Sequence, residues 1–312
     1  MRVCHKASRL SGLLLEDGMP PRRIHRAPAS TAAEPHAAAP LNRRVPAPTA
    51  VEPHAAAPLH QQEPQQHRPR VYVVTVATDA SLLGLYRTTQ GLHGLPEPVV
   101  LGLDGEWQGP RLDDGFKGGF KHVLLRKWLR ETRPRGGDVV VFTDAYDVFW
   151  NAALGDLDAL LDGIDILFAA EPTCWPDPAL ASQYPDADSP YRFLNSGCFV
   201  GRARAVAQLC ARTSATDDDQ LVCTMAFLRD QQRGTNRLRI DSRCRLWQCL
   251  GGVGTLDKGE LEWRAQADGG ASICNTRFDS IPVAIHGNGN SEMQAIWRKL
   301  AEVAVQSRQG GE

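Results

Sequence analysis

From Val71 onward the chain repeats one pattern, and that pattern limits the folds open to it. A short apolar run rich in β-branched residues gives way to a stretch whose apolar residues fall three and four apart. Val71–Val76, Val99–Leu103, Asp138–Phe142 and Ile164–Phe168 are runs of the first kind and read as buried strands. Phe120, Val123, Leu124 and Trp128 give a helical face between Phe116 and Arg133, which Pro134 and Gly136-Gly137 should end. Helical spacing recurs from Leu154 to Leu161, from Ala203 to Arg212, and after Asp219. Further strands are expected at Phe193–Val200, Arg237–Asp241 and Ile281–Ile285. Pro282 has no N–H for a ladder, which argues for a sheet edge or against a strand there. Strands alternating with helices predict an α/β layered fold with a mostly parallel sheet.

Residues 1–70 are of another kind. They hold 11 of the 21 prolines and no Phe, Trp or Tyr, so they cannot bury enough apolar surface to offset their ordering entropy. Thr31–Leu41 recurs with one change as Thr49–Leu59. A pair of such Pro/Ala-rich units suggests a disordered tail, with a processed targeting region as the other reading. The domain is then expected over 71–300, with 301–312 as a flexible C-terminus. Leu13–Leu15, ended by Glu16 and Asp17, is too short for a signal-peptide core, and no apolar run approaches the ~18 residues of a membrane span. The tail carries 10 Lys+Arg and 5 Asp+Glu, which leaves 25 and 31 for the body, a balance of 25 − 31 = −6. An acidic body does not suit a nucleic-acid partner and does suit a bound cation. None of the eight cysteines forms a C-x-x-C pair, so zinc is not expected, while buried thiols or one or two disulfides both remain open.

Ligands of open α/β sheets bind beyond the carboxyl ends of the strands, so the residues that follow each apolar run matter most. After Phe142 comes Thr143-Asp144-Ala145-Tyr146-Asp147. Carboxylates three apart at that point can converge on one hard cation, Mg²⁺, Mn²⁺ or Ca²⁺, or can simply form a turn or cap. After Ile285 comes His286-Gly287-Asn288-Gly289-Asn290, either a third metal ligand with a phosphate-approaching turn or a plain Asn-Gly turn. An imidazole beside the carboxylates favours Mn²⁺ over Mg²⁺. Asp217-Asp218-Asp219-Gln220 precedes a helix, so it is either an N-cap or a set of carboxylates facing a substrate. Asn195-Ser196-Gly197 interrupts an apolar strand as a pocket wall or a β-bulge. Lys121, after Gly118-Gly119, meets a diphosphate or is a surface lysine.

Together these pieces resemble the glycosyltransferase domain of the multifunctional procollagen lysyl hydroxylases and related collagen glycosyltransferases. The resemblance covers about residues 71–290. It rests on Thr75–Thr78, Leu101–Leu103 with Glu106-Trp107, Gly118–Lys121, Thr143–Asp147, Ala170-Glu171 with Cys174–Pro176, and Gln183–Pro185. It continues through Arg192–Gly197, Asp217–Gln220, Asp241 with Arg245 and Gln248, and His286–Gly289, in that order. It implies a GT-A fold, Mn²⁺ (or Mg²⁺) and a UDP-sugar donor, UDP-galactose or UDP-glucose. Asp144, Asp147 and His286 match the metal ligands, and Tyr146 the residue stacking on uracil. Thr75, Lys121 and Asn288 match the nucleotide side, with Val76 and Gly289 as further candidate cofactor-binding residues. Trp175, Asp218, Asp219 and Gln220 match the sugar end, with Asn195 as a further candidate cofactor-binding residue and Asp217, Asp218 and Asp219 as the candidate catalytic groups. Trp107 matches a loop aromatic, with a core or surface ring as the other reading. The implied acceptors are hydroxylysine and galactosyl-hydroxylysine of collagen-like chains, and the implied compartment is the secretory lumen, although no clear signal peptide is read. Ala215 and Thr216 stand where the family's acidic run begins, and Cys198 replaces a usual glycine. Too little sequence follows residue 290 for the hydroxylase domains, so lysine hydroxylation, Fe(II) and 2-oxoglutarate are not expected. The rival functions are a metal-dependent phosphohydrolase, which shares paired carboxylates, and a non-catalytic sugar-nucleotide or collagen-binding module.

Overall fold

The computed structural model describes residues 68–103, 105–110, 117–251, 260–266 and 271–289. The expected disordered tail up to residue 67 and the expected flexible C-terminus at 301–312 lie outside the described residues.

Strands β1 (Val71–Val76), β2 (Val99–Leu101), β3 (Val139–Asp144), β5 (Ile166–Glu171), β6 (Phe193–Arg202) and β7 (Leu238–Ile240) form one sheet in the order β2-β1-β3-β6-β5-β7. Five of them run parallel, and β6 runs antiparallel to both β3 and β5. The α/β fold expected from the alternating pattern is therefore present, with a mostly parallel sheet. Successive residues of β3 alternate between two cores, as the pleat requires. Val140 and Phe142 join Leu125, Trp128, Phe199 and Phe227 on one face. Val139 and Val141 join Tyr86, Trp150, Val200 and Trp247 on the other. Each fully buried side chain of this size contributes roughly 1.5–3 kcal/mol, so burial on both faces holds the strand in register.

The helices follow the predicted spacing. Helix α2 (Gly119–Thr132) lays Leu125, Trp128 and Leu129 on the sheet and sets Trp128 edge-on to Tyr72 at 5.5 Å. It ends at Arg133, whose left-handed φ of 49° lets its N–H bond Leu129 O, and Pro134 follows. The helical stretch read from Leu154 to Leu161 is one turn, α3 (Leu157–Leu160), capped by Asp156. Helices α4 (Ala203–Cys210) and α5 (Asp219–Gln232) stand where expected.

One expectation is corrected. Strand β11 (Ala284–His286) is the central strand of a three-stranded sheet, antiparallel to β4 (Val148–Trp150) and parallel to β8 (Trp247–Cys249). The strand starts after Pro282, so the missing N–H never enters the ladder, and Pro282 O accepts from Asn151 Nδ2 at 2.8 Å. Helix α1 (Gly84–Leu92), strands β4 and β8, and the hairpin of β9 (Leu261–Ala265) and β10 (Ala271–Asn275) carry no clear periodic signal and were not expected. The seven described cysteines are all buried and free.

Candidate metal and donor site

The site lies at the carboxyl ends of β1, β3 and β5. Asp144 is the last residue of β3, directly opposite Val76 in the β1–β3 ladder. The chain then turns through Ala145 and Tyr146 to Asp147 and enters β4 at Val148. In the β4–β11 ladder Val148 stands opposite His286, and Gly287 N donates to Asp147 O at 2.7 Å. That ladder brings the histidine to the carboxylates. His286 Nε2 lies 3.4 Å from Asp147 Oδ2 and 3.8 Å from Asp144 Oδ2. One ligand atom from each of the three residues falls within 4.8 Å of the others. That spread matches roughly 4–5 Å across an ion with bonds of ~2.1–2.5 Å.

Behind the cluster, Lys121 is neither a surface lysine nor a side chain reaching outward. Its ammonium is buried between Asp144 Oδ1 and Asp219 Oδ2, 2.9 Å from each. Burial disfavours the charge, but the two carboxylates more than compensate and raise the Lys121 pKa. Burial also opposes charge on Asp219; Lys121, His122 and hydrogen bonds from Lys121 and Ser196 together outweigh it and hold the pKa down to about 2. Burial likewise opposes protonation of His286, and Asp147 and Asp144 overcome it, raising that pKa. With the imidazole neutral, as a metal ligand must be, three ionised carboxylates (Asp144, Asp147 and Asp219) against one ammonium leave two negative charges, the complement of a divalent cation; without a cation, burial pushes the Asp144 pKa up. Two hard oxygen donors and one imidazole suit a divalent cation.

The Asn195–Gly197 segment is both a bulge and a wall. Phe168 pairs with Phe199, yet the next residue, Ala169, pairs with Asn195, so the intervening residues of β6 bulge out of the β5 ladder. The bulge points Ser196 Oγ at Asp219 Oδ2, 2.9 Å away. It also presses Gly197 against Asp144 and His286: a Cβ there would meet His286 Cε1 first and would stand 2.8 Å from Asp144 Oδ2 and 3.0 Å from His286 Nε2.

Glu171, the last residue of β5, organises the opposite wall. Its carboxylate accepts from Asn195 Nδ2 (3.0 Å), Gln220 Nε2 (2.7 Å) and Asn288 Nδ2 (2.8 Å). Burial pushes its pKa up, against those three hydrogen bonds and the nearby His286. Glu171 was quoted above without a role, although the rule that singled out Asp144 applies equally to it: a carboxylate leaving a buried strand.

The remaining sequence candidates fall into distinct places. Tyr146 keeps 38% exposure while its hydroxyl accepts from Thr78 N (2.7 Å) and Asp79 N (2.8 Å), so the ring is both presented and pinned. Trp175 is 61% exposed at the rim, and its carbonyl accepts from Gln220 Nε2 at 3.3 Å. Asn288 Oδ1 accepts from Gly251 N at 2.8 Å, and Gly289 takes a left-handed φ of 67° in the turn that follows. Thr75 is fully buried and donates to Thr143 O, and Val76 packs in the core beside it. Asp218 caps α5 by accepting from Leu221 N at 2.9 Å. Asp217 accepts from Ser214 N at 2.7 Å, so of the three acids Asp219 is the one bonded to Lys121. Trp107 packs edge-on against Phe120 at 5.1 Å, as a core ring does.

A family model described as "PLOD GT domain" matches residues 67–300. The chain belongs to this family. Three relatives of this PLOD GT domain set the scale. A multifunctional procollagen lysine hydroxylase and glycosyltransferase of Caenorhabditis elegans is 34% identical over 236 residues, 72% of this chain and 31% of the relative. The human relative, LH3, is 33% identical over 72% of this chain and 30% of its own length. A procollagen-lysine,2-oxoglutarate 5-dioxygenase of Drosophila melanogaster is 36% identical over 63% of this chain and 27% of its own. The chain thus matches less than a third of the length of each of these relatives. Among the described residues of the PLOD GT domain, no helix is long and apolar enough to cross a membrane.

Proposed function

We propose that this chain moves galactose or glucose from UDP-galactose or UDP-glucose to a hydroxyl acceptor, with Mn²⁺ or Mg²⁺ held by Asp144, Asp147 and His286. The carrying observation is the Asp144, Asp147 and His286 cluster at the carboxyl end of β3, whose ligand atoms meet within 4.8 Å. A divalent cation there supplies positive charge to the diphosphate that departs as the sugar–phosphate bond breaks.

The protein's own groups take the remaining roles. Tyr146 offers an exposed ring, pinned through its hydroxyl, as the stacking face for uracil. Lys121 holds Asp219 ionised, favours the charged form of Asp144 against the burial that raises its pKa, and separates the two charges. Asp219, held to about 2, is a weak proton acceptor, so it serves as a fixed negative charge near the developing sugar cation. Asp218, which burial pushes up, is the better matched of the acids to take the acceptor's proton. Asp217 supports the turn that presents them. Asn195, Gln220 and Trp175 frame the sugar end, the first two held by Glu171. Thr75 and Val76 shape the nucleotide wall, while Asn288 and Gly289 form the turn beside it. The proposed acceptor is hydroxylysine or galactosyl-hydroxylysine of a collagen-like chain, in keeping with the relatives' names.

The test incubates the full chain with each UDP-sugar, Mn²⁺ and a hydroxylysine peptide, and reads hexose addition by mass spectrometry. Transfer that disappears in Asp144→Ala is expected. Phosphate release from simple esters without transfer would point to a phosphohydrolase, and nucleotide binding without turnover to a non-catalytic module.

A further inference from the structure

We infer that Cys249 is a positioning residue for the metal-binding histidine, standing where such histidines usually meet an oxygen acceptor. This rests on the reading of Asp144, Asp147 and His286 as a cation site, and adds how His286 is held. Nε2 of His286 faces the two carboxylates at 3.4 and 3.8 Å. A cation shared with them takes the Nε2 lone pair, so the proton of the neutral ring then sits on Nδ1. That N–H needs an acceptor, because the residue is only 3% exposed and bulk water does not reach it. Its partner among the described residues is Cys249 Sγ, 3.9 Å from Nδ1.

The fold builds this contact. Strands β8 and β11 run parallel with Cys249 and His286 in register, so the two side chains leave the same face side by side. On the other flank Val148 of β4 stands in register and brings no polar side-chain atom. Gly197 closes the ring's edge at Cε1 and Nε2. Cys249 itself is fully buried, so the thiol has little freedom to turn elsewhere.

Partners of this kind fix the tautomer and angle of a metal-bound imidazole, and losing them typically costs about 10- to 100-fold in metal affinity. Sulfur is a weak acceptor, so the cost of removing Cys249 should fall below that range, about 3- to 10-fold.

The experiment uses the full chain and its Cys249→Ala and Cys249→Ser variants. Mn²⁺ affinity is measured by titration calorimetry without nucleotide. The ring N–H of His286 is followed by NMR of ¹⁵N-histidine-labelled, Mg²⁺-saturated protein. The expected result is weaker Mn²⁺ binding in C249A, partial recovery in C249S, and an Nδ1–H resonance that moves in both. Equal affinity in C249A and the parent, or an unmoved resonance, overturns the inference. Should C249A fail to fold, the C249S resonance decides. A parent that binds no Mn²⁺ sinks the cation reading itself, whereas a parent that binds beside an equally tight C249A sinks only the role of Cys249.

Discussion

Replacing Gly197 with alanine adds one carbon at a crowded point of the site. That carbon would sit 3.0 Å from His286 Nε2 and 2.8 Å from Asp144 Oδ2. The same carbon meets His286 Cε1 more closely still; comfortable contacts to carbon lie near ~3.5 Å, so the nitrogen alone must retreat by about half an ångström and the ring as a whole by more. It has little room to do so, with Val148 and Cys249 in register on its two flanks. A metal ligand tolerates displacements of only about 0.2 Å, so the histidine should be lost as an effective ligand. Mn²⁺ affinity should then fall by about 10- to 100-fold or more, roughly 1.4–2.7 kcal/mol. Overpacking should also lower apo stability by about 1–3 kcal/mol. The backbone itself is not the obstacle, because Gly197 is not among the residues with positive φ. Calorimetric titration with Mn²⁺ and urea unfolding measure the two effects. Gly91→Ala, where a Cβ meets nothing within 4 Å, is the control and should bind metal normally. A G197A protein that binds Mn²⁺ within twofold of the parent refutes the steric reasoning.

Other expectations follow from the same cluster. Lys121→Met leaves Asp144 and Asp219 facing each other without their shared cation, and urea unfolding of the metal-free protein should show a loss of about 3–5 kcal/mol. Saturating Mn²⁺ should recover part of it; no loss in either condition would show that the buried ion triad is not holding the site. Glu171→Gln sets an amide against three amide donors. It should lower stability by about 1–3 kcal/mol and transfer by tenfold or more, so unchanged steady-state kinetics would dismiss Glu171 as an organiser. Asp219 has a folded pKa of about 2 against an ordinary 3.8. Its contribution, about 2 kcal/mol, is therefore present above pH ~4 and lost as the pH falls through about 2. Asp219→Asn should flatten the stability profile of the metal-free protein in that window, and a parent-like slope would count against the ion pair. Tyr146→Phe gives up the hydroxyl that accepts from Thr78 and Asp79. Initial rates should show KM for the UDP-sugar rising several-fold with kcat nearly unchanged, and a fall confined to kcat would contradict a binding role.

Much of the frame could be read from the sequence because its signals are local. A β-branched apolar run such as Val139–Phe142 is a buried strand in almost any context, and polar residues at its carboxyl end invite a ligand. Asp144, Asp147 and His286 were reached in that way, and the structure brings them together. Lys121 was harder, because nothing in its neighbours distinguishes a lysine facing phosphate from one buried between carboxylates. The acids at 217–219 look equivalent in sequence, yet a cap at Asp218 and a turn at Asp217 leave Asp219 as the partner of Lys121.

By itself, then, the sequence determined the α/β alternation, the helix ends at glycine and proline, and the three side chains that meet as the candidate cation site. Only the tertiary structure decided that β11 is a central strand, that the three-residue β4 carries Asp147 to His286, that β6 bulges to fit Gly197 against the ligands, and that Cys249 lies against the ring. The physical reason is range. Propensity and periodicity act over one or two turns of chain, whereas ladders of three residues have no period to detect, and their register is set by packing between segments far apart in the sequence.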